Sequence, residues 1–276
     1  MAAKHYDEIG DWTEAKLEIL QKYATAYSKI LSTRTKPGLT HVYIDGFAGY
    51  GLHVSERTQG LVKGSPLVAL SVTPPFKAYH FVDLGSKKVQ SLETLVGQRR
   101  DVCIYKGDCN RILLEKVFPQ VQFKDFRRGL CLLDPYGLHL EWAVLKEAGQ
   151  MKTLDVFLNF PIMDINMNVL KKDPKAIDPK QAARMTAFWG DDSWRAAAYP
   201  TDQNLFGDEE KTTNEGLVKA FRERLKKVAG FACVPQPVPM KNKKRATVYY
   251  LFFASATPLA EGIVRQIFKK YQEKRC

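Results

Sequence analysis

Four acidic residues of the chain each stand at the end of a short apolar run, where a carboxylate is free to meet a ligand rather than pack. The first lies in His41-Val42-Tyr43-Ile44-Asp45-Gly46-Phe47-Ala48-Gly49-Tyr50-Gly51. Glycines at 46, 49 and 51 let the backbone turn sharply and approach a bound group with no Cβ between. The spacing is G-x-x-G-x-G, not the dinucleotide G-x-G-x-x-G, and no G-K-[ST] follows. Hydride transfer and nucleoside triphosphate hydrolysis both lose ground. An acid just ahead of the glycines repels a pyrophosphate and suits a cationic ligand, although a plain glycine turn between strand and helix has the same sequence. The other acids are Asp83, Asp108 in Gly107-Asp108-Cys109-Asn110, and Asp134 in Leu132-Leu133-Asp134-Pro135-Tyr136-Gly137.

The elements that must position these residues are legible as an alternation. Asp11 and Glu14 have capping-box spacing, and Leu17, Leu20, Tyr23, Tyr27 and Leu31 predict an amphipathic helix from about 12 to 32, ended by Lys36-Pro37-Gly38. Five β-rich runs follow, His41–Asp45, Lys77–Asp83, Val102–Tyr105, Gly129–Asp134 and Leu154–Asn159. Helical stretches lie between them, Pro66–Ser71, Ser86–Val96, Asn110–Val117 and Leu140–Ala148. Thr212 or Thr213 caps a basic helix reaching Val228, and two strands, Ala232–Pro239 and Ala246–Ala254, are joined by a basic loop, Met240–Arg245. A last helix spans Pro258–Lys270. Strands alternating with helices give an α/β fold, a Rossmann-like, seven-stranded methyltransferase-type sheet of five parallel strands plus a C-terminal antiparallel hairpin, helices on both faces. Residues 1–276 read as one domain, with residues 160–210 an inserted lid or recognition segment. Its cluster Phe188, Trp189 and Trp194 either stacks on bases or packs in the core. The loop from Leu52 to Gly64, carrying His53, Arg57 and Lys63, either closes over the site or is a surface excursion.

In such a sheet, ligands bind beyond the carboxyl ends of the strands, where all four acids fall. Asp45, with Phe47, Gly49 and Gly51, suits the sulfonium or amino group of S-adenosylmethionine. Asp83 suits a ribose hydroxyl and Asp108 an adenine amino group, and either acid serves equally as a helix cap. Asp134-Pro135-Tyr136 resembles the [DNS]-P-P-[YFW] motif of methyltransferases that act on exocyclic base amines, with the second proline missing and the aromatic one place early. In that motif acid and carbonyl accept the amine's N–H bonds, and the ring stacks on the extruded base. D-P-Y-G is also a good turn sequence. Asn159, Asp164, Asn166 and Asn168 supply polar groups beside the same cleft.

Net charge narrows the partner. The 276 residues carry 42 basic and 30 acidic side chains, a formal charge of +12. Such an excess suits a polyanion, nucleic acid first, or serves solubility alone. From Lys219 onward fourteen basic residues stand against three acidic ones. The helix before the sixth strand, the loop with Lys241, Lys243, Lys244 and Arg245, and the last helix therefore form the expected polyanion surface. Five cysteines with no C-x-x-C pair argue against a disulfide framework or zinc site, and no metal is expected. The chain shows no apolar signal core and no membrane-spanning run, which points to the cytoplasm.

Several short motifs in order, Trp12 with Lys16, Tyr43–Gly51, Gly64-Ser65-Pro66-Leu67, Gly107-Asp108 with Asn110, Leu133–Gly137 and Tyr250–Ser255, resemble the three-Cys-motif partner family. The resemblance implies a Rossmann-like fold and an S-adenosylmethionine site at Asp45, Gly49, Gly51, Asp83 and Asp108. It also implies a protein partner, a separate three-cysteine, radical-enzyme-like protein. Three functions remain open: a methyltransferase acting on nucleic acid, a nucleic-acid-binding adaptor on a methyltransferase scaffold, and, more weakly, a metal-dependent hydrolase using the four acids.

Overall fold

The computed structural model describes residues 6–34, 38–200 and 212–273. Residues 36 and 37 of the expected helix stop, positions 201–210 of the expected insertion and the basic residues Lys274 and Arg275 lie outside them. In chain order the strands are β1 (Glu8–Ile9), β2 (Thr40–Asp45), β3 (Leu52–Ser55), β4 (Leu61–Lys63), β5 (Ala78–Asp83), β6 (Val102–Lys106), β7 (Arg127–Leu133), β8 (Leu154–Phe160), β9 (Val238–Lys241) and β10 (Thr247–Ala254). The helices are α1 (Asp11–Ser32), α2 (Ser65–Leu70), α3 (Ser86–Val96), α4 (Cys109–Ile112), α5 (Trp142–Met151), α6 (Ile162–Asp164), α7 (Pro179–Trp189), α8 (Trp194–Ala198), α9 (Asn214–Lys227) and α10 (Pro258–Glu273).

Seven strands form the main sheet in the order β6-β5-β2-β7-β8-β10-β9. β10 alone runs against the rest: it pairs antiparallel with both β8 and β9. The α/β fold is thus the methyltransferase-type sheet, a mostly parallel sheet closed by an antiparallel hairpin. Strands β2, β5, β7 and β8 are almost wholly buried, as parallel strands covered on both faces must be. Alternate residues of β2 serve opposite layers. Val42 and Ile44 face a core with α5, α7 and α9, whereas Tyr43 faces one with α1, α3 and α10.

This layering decides one open alternative and corrects one expectation. Phe188, Trp189 and Trp194 are buried, and Phe188 stacks on Phe221 of α9 with ring centroids 5.5 Å apart and planes 15° from parallel. Their indole nitrogens are also used, Trp189 donating to Ser193 Oγ at 2.9 Å and Trp194 to Thr186 Oγ1 at 3.0 Å. These rings are core and present no face to a base. Nor do the basic elements make one continuous surface, because α9 and α10 pack on opposite faces of the sheet. Arg224 of α9 is structural: it donates to the Trp189 carbonyl and to Asp191 at 2.6 Å each, and lies 4.6 Å over Trp142.

The segment after Gly51 is not a bare loop but a small surface sheet whose His53 reaches a cavity. β3 and β4 form a hairpin, and β3 also pairs in parallel with β1, so the N-terminal residues are stitched to it as a small three-stranded sheet. α2 opens at Ser65, one residue before the expected start at Pro66, with Gly64 rather than Ser65 as the N-cap and Pro66 in its first turn. Among the described residues, no helix is long and apolar enough to cross a membrane.

Candidate active site

Two cavities adjoin at the carboxyl edge of the parallel strands. The smaller, about 380 Å³, is lined by Gly46, Phe47, Asp83, Lys88, Asp108 and Cys109 among others. The larger, about 700 Å³, lies between α1, the β3 hairpin, the Asp134–Gly137 turn and the start of β10, and takes in Lys16, His53, Asp134 and Asn159. Phe47 and Tyr136 line both, so the two spaces meet across these rings.

The glycine turn that shapes the boundary is held by two buried carboxylates. Gly49 and Gly51 have φ of +66° and +80°, in the left-handed region that a side chain disfavours. Asp83 Oδ2 accepts from Gly49 N at 2.9 Å, and its Oδ1 accepts from Gly85 N at 2.8 Å. A carboxylate has about four acceptor sites, so Asp83 keeps capacity for a hydroxyl in the small cavity. Asp45 lies deeper. It is fully buried, accepts from Phe47 N at 3.2 Å and from Ser65, and lines neither cavity. Burial, aided by nearby Asp134, pushes its carboxyl up to about 7. Asp108 caps α4 through Arg111 N at 3.0 Å and also lines the small cavity.

At the fourth strand end, Asp134 Oδ2 accepts from Lys16 Nζ and Oδ1 accepts from the Asn159 side-chain amide. Lys16 is almost wholly buried and its partner keeps about a third of its side chain exposed. Both carboxylate oxygens therefore already accept from the protein. Pro135 and Tyr136 line the large cavity. Tyr136 donates to Asp7 Oδ2 at 3.3 Å, and Lys88 Nζ lies 4.6 Å from the centre of its ring. Beyond the turn, Asp164 accepts from Leu138 N and Arg184 Nη2, each at 3.1 Å, and so ties the 160–210 segment to the site. Met163, Met167 and Asn168 of that segment line the large cavity, while α7 and α8 contribute to the core.

Among the described residues, two buried side-chain polar atoms lack a hydrogen-bond partner, His53 Nδ1 and Asn159 Oδ1. Both residues line the large cavity. Burial, reinforced by the Lys16 charge, holds the His53 pKa below its ordinary 6.5, which keeps the ring neutral. His53 lies on the loop read from sequence as closing over the site, touching a phosphate or running over the surface, whereas Lys16 carries no chemical task in the sequence alone. For Lys16 a signal existed: with Leu20, Tyr23 and Tyr27 it falls on the apolar stripe of α1, where a buried ammonium requires an acidic partner.

Lys241, Lys243, Lys244 and Arg245 are exposed around the turn between β9 and β10. Asn242 builds this turn by accepting from Lys244 N and Ala246 N at 3.0 Å each, and Arg245 takes a left-handed φ of 63°. Because Tyr250 pairs with Phe160, the last residue of β8, the earlier residues of β10 project beyond the carboxyl edge. Val248 and Tyr249 there line the large cavity, and Lys243 Nζ meets Glu56 of the β3 hairpin at 3.2 Å. The basic turn thus stands at the cavity's rim.

No family model and no curated protein matches the sequence. Among solved structures, the chain is similar to protein LPL1258 from Legionella pneumophila, with 10% identity, 92% of this chain and 90% of that one covered, and a TM-score of 0.52. It is also similar to a methyltransferase described as putative, from Thermobifida fusca, at 15% identity, 88% and 79% coverage and a TM-score of 0.42. A third is the DszA carbon methyltransferase, at 13% identity, 88% and 54% coverage and a TM-score of 0.45. Identities of this size make the likeness one of fold.

Proposed function

We propose that the protein is an S-adenosylmethionine-dependent methyltransferase acting on nucleic acid, with the small cavity holding the cofactor's nucleoside and the large one the target. The observation that carries this reading is the pair of adjoining cavities beyond the strand ends of a methyltransferase-type sheet, meeting at Phe47 and Tyr136. The residues of the small cavity fit the cofactor. Asp83 has spare acceptor sites for ribose hydroxyls and Asp108 is exposed toward an adenine amine, while Gly49, on the large-cavity side of the boundary, leaves room for close approach. Asp45 acts from beneath, holding the Phe47 backbone through its buried carboxyl. When bound, the cofactor supplies a methyl group on a cationic sulfonium.

In the large cavity Tyr136 offers a ring for base stacking, and Asp134 orients its neighbours. The basic turn at the rim offers Lys241, Lys243, Lys244 and Arg245 to the phosphate backbone, and the 160–169 stretch forms the recognition wall. Base-amine methylation suits these groups, and a three-cysteine, radical-enzyme-like protein is the partner implied by resemblance.

One observation favours a second reading, a nucleic-acid-binding adaptor without chemistry. Both oxygens of Asp134 are engaged by Lys16 and Asn159, leaving this carboxylate less free to take an amine. The two readings separate in one experiment. S-adenosylhomocysteine is expected to raise the melting temperature, and Asp45→Ala to abolish the rise. Labelled S-adenosylmethionine incubated with DNA, RNA and protein fractions should label one nucleic-acid fraction. No thermal shift at millimolar ligand sinks the methyltransferase reading, and a shift with no label in any fraction favours the adaptor.

A further inference from the structure

The orientation of the Asn159 amide is dictated by its neighbour. Its NH₂ donates to the Asp134 carboxylate, and the flipped amide would set oxygen against oxygen. Oδ1 must then point away from Asp134, and it is buried with no partner on a residue only 3% exposed. A buried acceptor without a donor is destabilising, and native interiors rarely retain one unless a ligand or an ordered water supplies the missing bond. His53 Nδ1 is also unpartnered in the wall of the same cavity, and on a neutral ring it is an acceptor in the tautomer that carries the proton on Nε2. Lys16 completes the device from the other side: with its charge on Asp134, that carboxylate is neutralised and fixed rather than offered to the ligand.

We infer that Asn159 and His53, rather than Asp134, are the specificity-determining acceptors of the large cavity, and that they select a nucleobase bearing a primary amine. An exocyclic amine has two N–H bonds and satisfies both orphan acceptors. An imide edge, with one N–H between two carbonyls, satisfies one and turns oxygen toward the other. Cytosine, adenine and guanine, which each carry a primary amine, are therefore admitted, and thymine and uracil are not. The inference rests on the nucleic-acid reading of the large cavity and moves the amine-holding task from the fourth strand end to the fifth.

Binding rather than turnover tests it. Fluorescent oligodeoxycytidylate and oligothymidylate of equal length compare two pyrimidines of similar stacking area, measured by anisotropy with S-adenosylhomocysteine present. The cytosine oligomer should bind about tenfold more tightly, the discrimination expected of a well-formed pair of base hydrogen bonds. Asn159→Ala should bring the two affinities within about twofold while leaving S-adenosylhomocysteine affinity unchanged. His53→Leu, on the small surface sheet, should reduce the preference separately and decides the matter if the Asn159 variant fails to fold. Equal binding of both oligomers by the wild type, or a preference retained in the folded variants, overturns the inference and leaves the nucleic-acid reading in place. No binding of any oligomer at low salt overturns both. A cytosine preference without S-adenosylhomocysteine binding overturns the cofactor assignment and upholds the acceptors.

Discussion

The two ends of the parallel sheet hold polar groups of similar burial in opposite states of satisfaction. At the amino edge, Asp155 is buried beside a small cavity of about 130 Å³, yet its carboxylate accepts from Tyr23 at 2.7 Å and Ser255 at 2.5 Å. At the carboxyl edge, the cavity of about 700 Å³ leaves Asn159 Oδ1 and His53 Nδ1 unpartnered. Burial alone thus does not mark a functional group. What separates the two ends is that the protein closes the bonds of Asp155 and of the strand-end acids Asp45, Asp83 and Asp134, but among the described residues leaves Asn159 Oδ1 and His53 Nδ1 open at the carboxyl edge.

The amino edge supplies the largest expected effect, because a fully satisfied buried acid should act on stability and nowhere else. Burial pushes the Asp155 carboxyl up to about 6, with the Ser255 and Tyr23 hydrogen bonds opposing. A folded-state value above the unfolded one favours the native state fully below about pH 4, and this contribution is lost as pH rises through about 6. The loss is about 3 kcal/mol. Chemical denaturation at pH 4 and pH 7 should show a shallower fall for Asp155→Asn than for the wild type. His41 and His80, held down to about 4 by burial, act in the reverse sense over the same window, so only the comparison between variants isolates Asp155. Any change in S-adenosylhomocysteine affinity in this variant would break the separation of the two ends.

Asp83 is the corresponding test at the carboxyl edge. Asp83→Ala removes both the clamp on Gly49 and Gly85 and the acceptor in the small cavity. S-adenosylhomocysteine affinity, measured by calorimetry, should fall about a hundredfold, as loss of charge-assisted bonds to a ligand and to its loop predicts. A fall of less than threefold would show that the strand-end acid serves only as a loop anchor.

How far each end was legible follows from the range of the signal. Strands β2, β5, β7 and β8 show themselves as apolar runs, and Asp45, Asp83 and Asp134 are visible because a carboxylate ends each of the first three. β3 and β4 do not: the stretch between Leu52 and Gly64 is mostly polar, and β1, its other partner, contributes two residues from far away in sequence. Phe188, Trp189 and Trp194 suit a core more readily than a base from sequence, and only Phe221, placed against Phe188 and Trp189, decides it. The orphan state of Asn159 is a tertiary fact altogether. It depends on Asp134 and, behind that, on Lys16 from a helix 118 residues earlier.

Lys16 therefore sharpens the comparison from within the site. Lys16→Met keeps the apolar stem and deletes the charge, leaving Asp134 without its cation. Complete burial of the abandoned carboxylate would cost several kcal/mol, but its side chain is 32% exposed, so about 1–2 kcal/mol is expected in urea denaturation. A loss as large as that of a buried pair would mean that Asp134 is sealed from solvent and cannot face a ligand.

The smallest effect concerns the rim. Lys244→Glu with Arg245→Glu reverses charge on a turn that overhangs the large cavity, whereas Lys269→Glu with Lys270→Glu does so on α10, packed against α1 along one face of the sheet. Phosphate contacts should be lost only at the turn. Oligonucleotide affinity should fall about three- to tenfold for the first pair, an effect that shrinks as salt rises, and stay within about twofold for the second. S-adenosylhomocysteine binding should be unchanged in both, since neither pair lines the small cavity. Equal weakening by the two pairs would make the excess charge a diffuse attraction with no preferred edge, and the rim would lose its claim to guide nucleic acid toward Asn159.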